Sequence, residues 1–192
     1  MKKIFTVTVI KIAMIGIFFS LSNAVLAQSG IRYGIRAGVH AGTQWGRAII
    51  YNPSGTVIGL HGAIFADIPL SEDFSLCPEI SYVQKGFKMD SMEFKSNYID
   101  VPLLLKIQMG DGGIYTIIGP YITYQPTVNP LAFNEKSLSW GGIIGLGKRM
   151  GDHLFLEARY NFNASIYQLT GEKNNPYGFR NTTIGLSLGY LF

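Results

Sequence analysis

The spacing of turn-rich connections constrains this chain more than any other feature. Eight stretches of alternating polarity follow an apolar N-terminal segment. Their connections run long (44–56), short (69–73), long (88–96), short (109–113), long (125–137), short (150–153) and long (166–180). Alternation with a period of two marks strands that bury one face. An even number of strands winding up and down collects every short turn at one end and every long loop at the other. The expected fold is all-β: an eight-stranded antiparallel up-and-down transmembrane β-barrel with short periplasmic turns, longer extracellular loops and both termini periplasmic.

The N-terminal segment reads as a cleaved secretory signal over residues 1–27. Lys2 and Lys3 supply a positive start, Ile12 to Leu21 an apolar stretch, and Val25-Leu26-Ala27 small side chains before the cut. That apolar stretch is too short for a spanning helix. No cysteine lies at the cut, so a lipid anchor is not expected. The remainder, 28–192, is read as one outer-membrane barrel domain. Three of the sixteen basic residues leave with the signal, so thirteen face twelve acidic side chains and the net charge is +1. A nucleic-acid partner would need a basic patch, and none is present. The single cysteine, Cys77, excludes an internal disulfide and reads as a small half-buried strand residue. No later stretch approaches the roughly 20 apolar residues of a membrane helix. A membrane location therefore requires a closed barrel, the other structure that satisfies every backbone group in lipid.

The two faces of the segments differ in kind. One face carries Ile35, Val39, Ile58, Leu60, Ile64, Ile80, Val101, Leu103, Leu156, Leu186 and Leu188. The other carries glycine, serine and charges of both signs. On that face lie Arg32, Arg36, Lys106 and Arg159 against Asp67, Glu79, Asp100 and Glu157. A soluble ligand-carrying barrel would put its large apolar side chains inside and its charges outside. Here the charged face suits a narrow lumen filled by side chains, and the apolar face suits lipid. Four cations against four anions suit a plug of ion pairs better than a selectivity filter, which would carry an excess of one sign. The fifth and sixth segments, 114–124 and 138–149, are apolar on both faces, so their facing stays open.

Aromatic residues fall near segment ends. Tyr33, Phe74, Tyr190 and Phe192 belong to one end, and Tyr82, Tyr124, Trp140 and Phe162 to the other. Two such girdles would sit at the two headgroup levels of a bilayer. Good strand propensity of Tyr and Phe is the plainer account of the same residues.

Catalytic and metal chemistry find little support. His40, His61 and His153 lack zinc spacing, so no metal or cofactor is expected. His40 and His61 would line the outer half of the lumen, where Ser81 or Asp100 could join them only in an assumed geometry. Lumen packing is the preferred reading, and no enzyme activity is expected. Gly110-Asp111-Gly112-Gly113 reads as a tight turn, because no helix follows it to cradle a phosphate. Pro120 has no donor for a ladder, so a bulge or an end of pairing is expected there.

Several short sequences taken in order carry a family resemblance. They are Gly34-Ile35-Arg36-Ala37-Gly38, Pro78-Glu79-Ile80-Ser81-Tyr82 with Lys85-Gly86, and Tyr98-Ile99-Asp100-Val101-Pro102-Leu103-Leu104. Gly119-Pro120-Tyr121, Gly145-Leu146-Gly147, Glu157-Ala158-Arg159-Tyr160 and the terminal 185–192 complete the set. Together they resemble the PorT-like outer-membrane β-barrel family, common in Bacteroidetes, over nearly all of 30–192. The resemblance implies an outer-membrane location. It also implies, through one named member, an accessory role in type IX protein secretion. Phe192 resembles the C-terminal signal read by the barrel assembly machinery. The expected partners are outer-membrane lipid, that machinery, and an extracellular or secretion-system protein. The expected function is a structural or interaction barrel acting through its outer loops, where Trp45, Ile49, Ile50 and Tyr51 are more apolar than a solvated loop requires. The alternative is a small passive porin-like channel.

Overall fold

In the computed structural model, which describes residues 30–46, 55–89, 92–126, 138–163, 167–168 and 178–192, the alternating segments pair side by side into one closed sheet. The strands are β1 (Arg32–Gly46), β2 (Val57–Pro69), β3 (Phe74–Met89), β4 (Met92–Gln108), β5 (Ile114–Tyr124), β6 (Leu138–Met150), β7 (Leu154–Asn163), the two-residue β8 (Tyr167–Gln168) and β9 (Gly178–Leu191). Each of β1 to β7 pairs with the next in antiparallel fashion, β7 pairs with β9, and β9 pairs back onto β1. β8 only extends the start of β9, so the barrel wall has eight strands, as expected. The proposed signal segment 1–27, and Ile49, Ile50 and Tyr51, lie outside the described residues.

The register fixes the width of the barrel. Traced from Tyr33 through Ala66, Pro78, Leu103, Pro120, Gly142, Phe162 and Thr182, it returns to β1 at Thr43, ten residues further along. A stagger of this size tilts eight strands by about 35–45° and leaves an interior that side chains can fill. The short turns are tight. Gly110, Gly113 and Gly151 take φ of 66°, 70° and 75°, a left-handed region that a side chain would strain.

One connection differs from the sequence reading. Residues 88–96 do not form a long loop. β3 and β4 pair as far as Met89 and Met92. Polar and apolar residues keep alternating through this hairpin beyond the lipid-facing part, and polarity alone had suggested a loop.

Three prolines sit inside the wall without shifting it. Pro78 interrupts the β2–β3 ladder, Pro102 the β3–β4 ladder and Pro120 the β4–β5 ladder. On either side of each gap the register is unchanged. A proline removes one donor, so it can break pairing on one side of its strand while the other side continues. Pro120 keeps its pairing to Gly142 on β6 and introduces no bulge.

The facing of β5 and β6 is settled by size. Tyr115, Ile117, Tyr121 and Thr123 point inward from β5, and Ser139, Gly141, Ile143, Gly145 and Gly147 from β6. Directly across the ladder, Tyr115 meets Gly147, Ile117 meets Gly145 and Tyr121 meets Gly141. A Cβ at Gly147 or Gly141 would overlap the facing tyrosine ring. The same device recurs where Phe65 covers Gly34 and Phe155 covers Gly189. A large side chain over a glycine fills a narrow, curved lumen that two large ones could not share.

This packing makes a test. Tyr115 cannot swing away, because its hydroxyl donates to Glu157 at 3.2 Å and the Lys106 ammonium lies 5.0 Å from its ring centre. Gly147→Val should therefore destabilise the barrel by about 1–3 kcal/mol, the usual cost of overpacking. Gly112→Ala meets open space and should stay within about 0.5 kcal/mol. Urea titration of the refolded barrel reads both, and equal midpoints would refute the packing argument.

Candidate functional site: the barrel lumen

The inward face is built from every barrel strand and falls into three polar clusters with an apolar layer between strands. The central cluster joins Arg36 of β1, Glu79 of β3, and Glu157 and Arg159 of β7. Arg36 grips Glu79 with both sides of its fork, Nε at 3.0 Å and Nη2 at 2.5 Å. Arg159 Nη1 donates to the same carboxylate at 3.0 Å, and its Nε donates to Glu157. All four side chains are buried. Two guanidinium groups and two carboxylates satisfy one another here, as charges removed from water require.

Near the short-turn end, Asp67 of β2 is 1 % exposed and accepts from Lys106 at 2.8 Å and Arg32 at 3.0 Å. This cluster carries one cation too many. The excess is tolerated because the Arg32 side chain is 38 % exposed, at the barrel mouth. Cys77 is fully buried rather than half-buried, with Sγ 3.7 Å from Asp67. Beside it lie Leu104, Ile117 and Phe155, an apolar lining that the charged residues alone did not announce.

The third cluster centres on a residue left out of the expected lumen set. Lys85 of β3 is buried, donates to both oxygens of Asp100 at 2.9 and 2.7 Å, and lies 5.0 Å and 5.2 Å from the ring centres of Tyr98 and Tyr121. The signal was available, because Lys85 continues the odd-numbered inward series of Glu79, Ser81 and Val83. It was missed because the inward face was followed only as far as Ser81, although the segment itself was read to residue 87. The balance of four against four is corrected accordingly: the described lumen holds five cations and four anions.

His40, His61, Ser81 and Asp100 line one cavity, but among the described residues the histidines are hydrogen-bonded elsewhere. Ser81 Oγ donates to the Asp100 backbone carbonyl at 3.3 Å. His61 Nε2 instead lies 2.7 Å from Ser187 Oγ on β9, and its Nδ1 lies 3.3 Å from Nδ1 of His40. His40 Nε2 lies 2.6 Å from the Gln84 carbonyl oxygen. His153 sits in the β6–β7 turn, stacked on Tyr190, with Nδ1 2.7 Å from the Leu191 carbonyl oxygen.

Outside, the wall is apolar. Tyr33, Phe74, Tyr190 and Phe192 are exposed at the end bearing the short turns. Tyr82, Tyr124, Trp140 and Phe162 are exposed towards the other end. The last residue is held in place, with the Phe192 N–H donating to the Tyr33 carbonyl at 2.8 Å. Both ends of the barrel chain therefore lie on the short-turn side. No helix among the described residues is long and apolar enough to cross a membrane.

Residues 26–165 match the family described as outer membrane protein beta-barrel domain. The chain belongs to that family. No curated protein matches the chain. Among solved structures, Neisserial surface protein A is similar at TM-score 0.55 and 15% identity, over 85% of this chain and 100% of that one. OprG from Pseudomonas aeruginosa (TM-score 0.49, 14% identity, 86% and 97% covered) and Ail, the attachment invasion locus protein of Yersinia pestis (0.49, 13%, 86% and 100%), are also similar. The protein is thus an outer-membrane barrel, and its wall and lumen are the parts of such a barrel made from these residues.

Within this outer-membrane barrel, the central cluster should be costly to break. Removing Glu79 leaves Arg36 without its bidentate partner and Arg159 with one carboxylate fewer. Glu79→Ala should therefore cost about 3–5 kcal/mol, and less if water enters. Arg32→Ala removes a half-exposed partner while Asp67 keeps Lys106, so it should cost at most about 1 kcal/mol. Unfolding midpoints in urea rank the two, and a reversed order would overturn the assignment of the central pair.

Proposed function

We propose that this outer-membrane barrel works as a structural or interaction protein with a closed, side-chain-filled lumen, presenting the loops opposite its chain ends to a protein partner outside the cell. The observation that carries the reading is the filling of the lumen. The described cavities inside it measure about 20 and 10 Å³. A cavity needs at least about 10–15 Å³ to hold one water, so each of these two cavities has room for about one water. Ion pairs that satisfy one another, with the one extra cation at the exposed Arg32, favour a plug, whereas a selective pore would carry an uncompensated ring of charge.

The finer reading places residues 1–27 as a cleaved signal and both barrel termini in the periplasm. Phe192 then serves as the mark read by the barrel assembly machinery, and the two aromatic sets serve as headgroup girdles. The ordered short sequences from Gly34 to Phe192 support a PorT-like, Bacteroidetes-type member and an accessory role in type IX-like secretion. A capture experiment from outer membranes, with the intact barrel as bait, would name the partner.

Two measurements test this reading. In planar bilayers at neutral pH the barrel should show no steady conductance. Steady ion-selective current would replace the plug with the passive channel. An epitope inserted within 166–180 should be labelled on intact cells, and one within 109–113 should not. The opposite labelling would invert the orientation.

A further inference from the structure

The hydrogen bonds of the outer lumen have a direction. A carbonyl oxygen only accepts, so His40 Nε2, 2.6 Å from the Gln84 carbonyl, carries a proton and donates it. In the neutral ring the Nδ1 of His40 is then an acceptor. The facing Nδ1 of His61, at 3.3 Å, must therefore be the donor. That leaves His61 Nε2 as an acceptor for the Ser187 hydroxyl at 2.7 Å. Ser187 Oγ in turn accepts from Arg36 Nη1 at 3.0 Å. One directed chain thus runs from Arg36 through Ser187, His61 and His40 to the Gln84 backbone. It ties β1, β2, β3 and β9 together across the lumen.

A serine polarised by a histidine that is oriented by a third group is the arrangement of an activated nucleophile. Space decides against that use here. Ser187 is 2 % exposed, and the cavity beside it, about 20 Å³, has room for a water and not for an acyl group. A proton is small enough to act on the chain.

We propose that His40 and His61 form a proton-operated latch on the outer half of the lumen. One added proton can be absorbed by reversing the chain. His40 then donates through Nδ1 to His61, and His61 donates through Nε2 to Ser187, which loses an acceptor for its own hydrogen. A second proton cannot be absorbed, because it sets N–H against N–H across 3.3 Å. The rings must then part, and the tie between β1, β2, β3 and β9 is lost. The charged groups facing the pair are Arg36 of β1, Glu79 and Lys85 of β3, Asp100 of β4 and Arg159 of β7. Glu79 is shared by Arg36 and Arg159, and Asp100 is held by Lys85, so no facing carboxylate is left over to hold an imidazolium. In the same cavity the buried Asn161 Oδ1 has no hydrogen-bond partner among the described residues. It offers an acceptor for the N–H that is displaced.

The test compares the parent barrel with a His40→Gln/His61→Gln double variant, in which each amide offers a donor and an acceptor but does not titrate. The unfolding rate, followed by loss of the compact gel form at fixed temperature, is measured from about pH 8 to about pH 4, across the range where histidine ordinarily changes charge. The parent should unfold about tenfold faster in acid relative to the double variant, the factor given by one pKa unit of differential protonation. Equal acid sensitivity in both proteins would overturn the latch. If the double variant does not fold, ring-nitrogen NMR on ¹⁵N-histidine-labelled parent decides. One neutral ring must carry its proton on Nε2 and the other on Nδ1, and two identical tautomers would overturn the proposal. Neither readout depends on conductance or on loop partners, so failure of the closed-lumen function and failure of the latch are told apart.

Discussion

Closure of the sheet is the constraint on which the rest of this structure depends. In lipid an unpaired strand edge would leave a row of backbone donors and acceptors unsatisfied, at several kcal/mol each. The pairing of β9 with β1 removes both edges. Eight strands and a ten-residue stagger then set the bore of the barrel, and the bore must be filled because neither a wide void nor unpaired charge is tolerated there. The wall can absorb local defects. Pro78, Pro102 and Pro120 each interrupt one ladder without moving its register, because the neighbouring ladders carry the alignment across the gap.

Filling is achieved in two ways, which meet at Tyr115. The first is steric: a large side chain on one strand lies over glycine on the next, as Tyr115 does over Gly147 and Phe155 over Gly189. The second is electrostatic: long cations reach carboxylates across the bore, as Arg159 does to Glu79 and Glu157. The Tyr115 hydroxyl donates to Glu157 while its ring fills the space above Gly147. Packing and ion pairing therefore hold each other in position. A side chain lost from either system releases neighbours in the other.

The two halves of the lumen differ in what could move them. Towards the short turns the groups are arginines, Lys106 and carboxylates in mutual contact, and arginine does not give up its proton. Towards the long loops the ties are the Lys85–Asp100 ion pair and a pair of imidazoles, the side chain whose ordinary charge change falls between about pH 5 and 8. The Ser187 hydroxyl joins the halves by contacting both Arg36 and His61.

Much of this was legible in the residues themselves. Period-two alternation and the sequence of long and short connections are local properties, and they suffice for eight antiparallel strands with Arg36, Glu79, Glu157 and Arg159 on one face and Ile35, Ile80, Leu156 and Leu188 on the other. Phe192 and the aromatic sets could be named because position along a strand is also local. Tertiary structure decided what depends on cross-strand register. The facing of β5 and β6 was undetermined while both faces were apolar, and it follows from which glycine each tyrosine meets. The partners of Lys85, the Asp100 carboxylate and the rings of Tyr98 and Tyr121, lie on other strands, and only the cross-strand register brings them to it. The meeting of His61 with Ser187, which are 126 residues apart in the chain, depended on closure between β9 and β1. No local pattern encodes that contact, because it exists only once the barrel has returned to its first strand with a definite stagger.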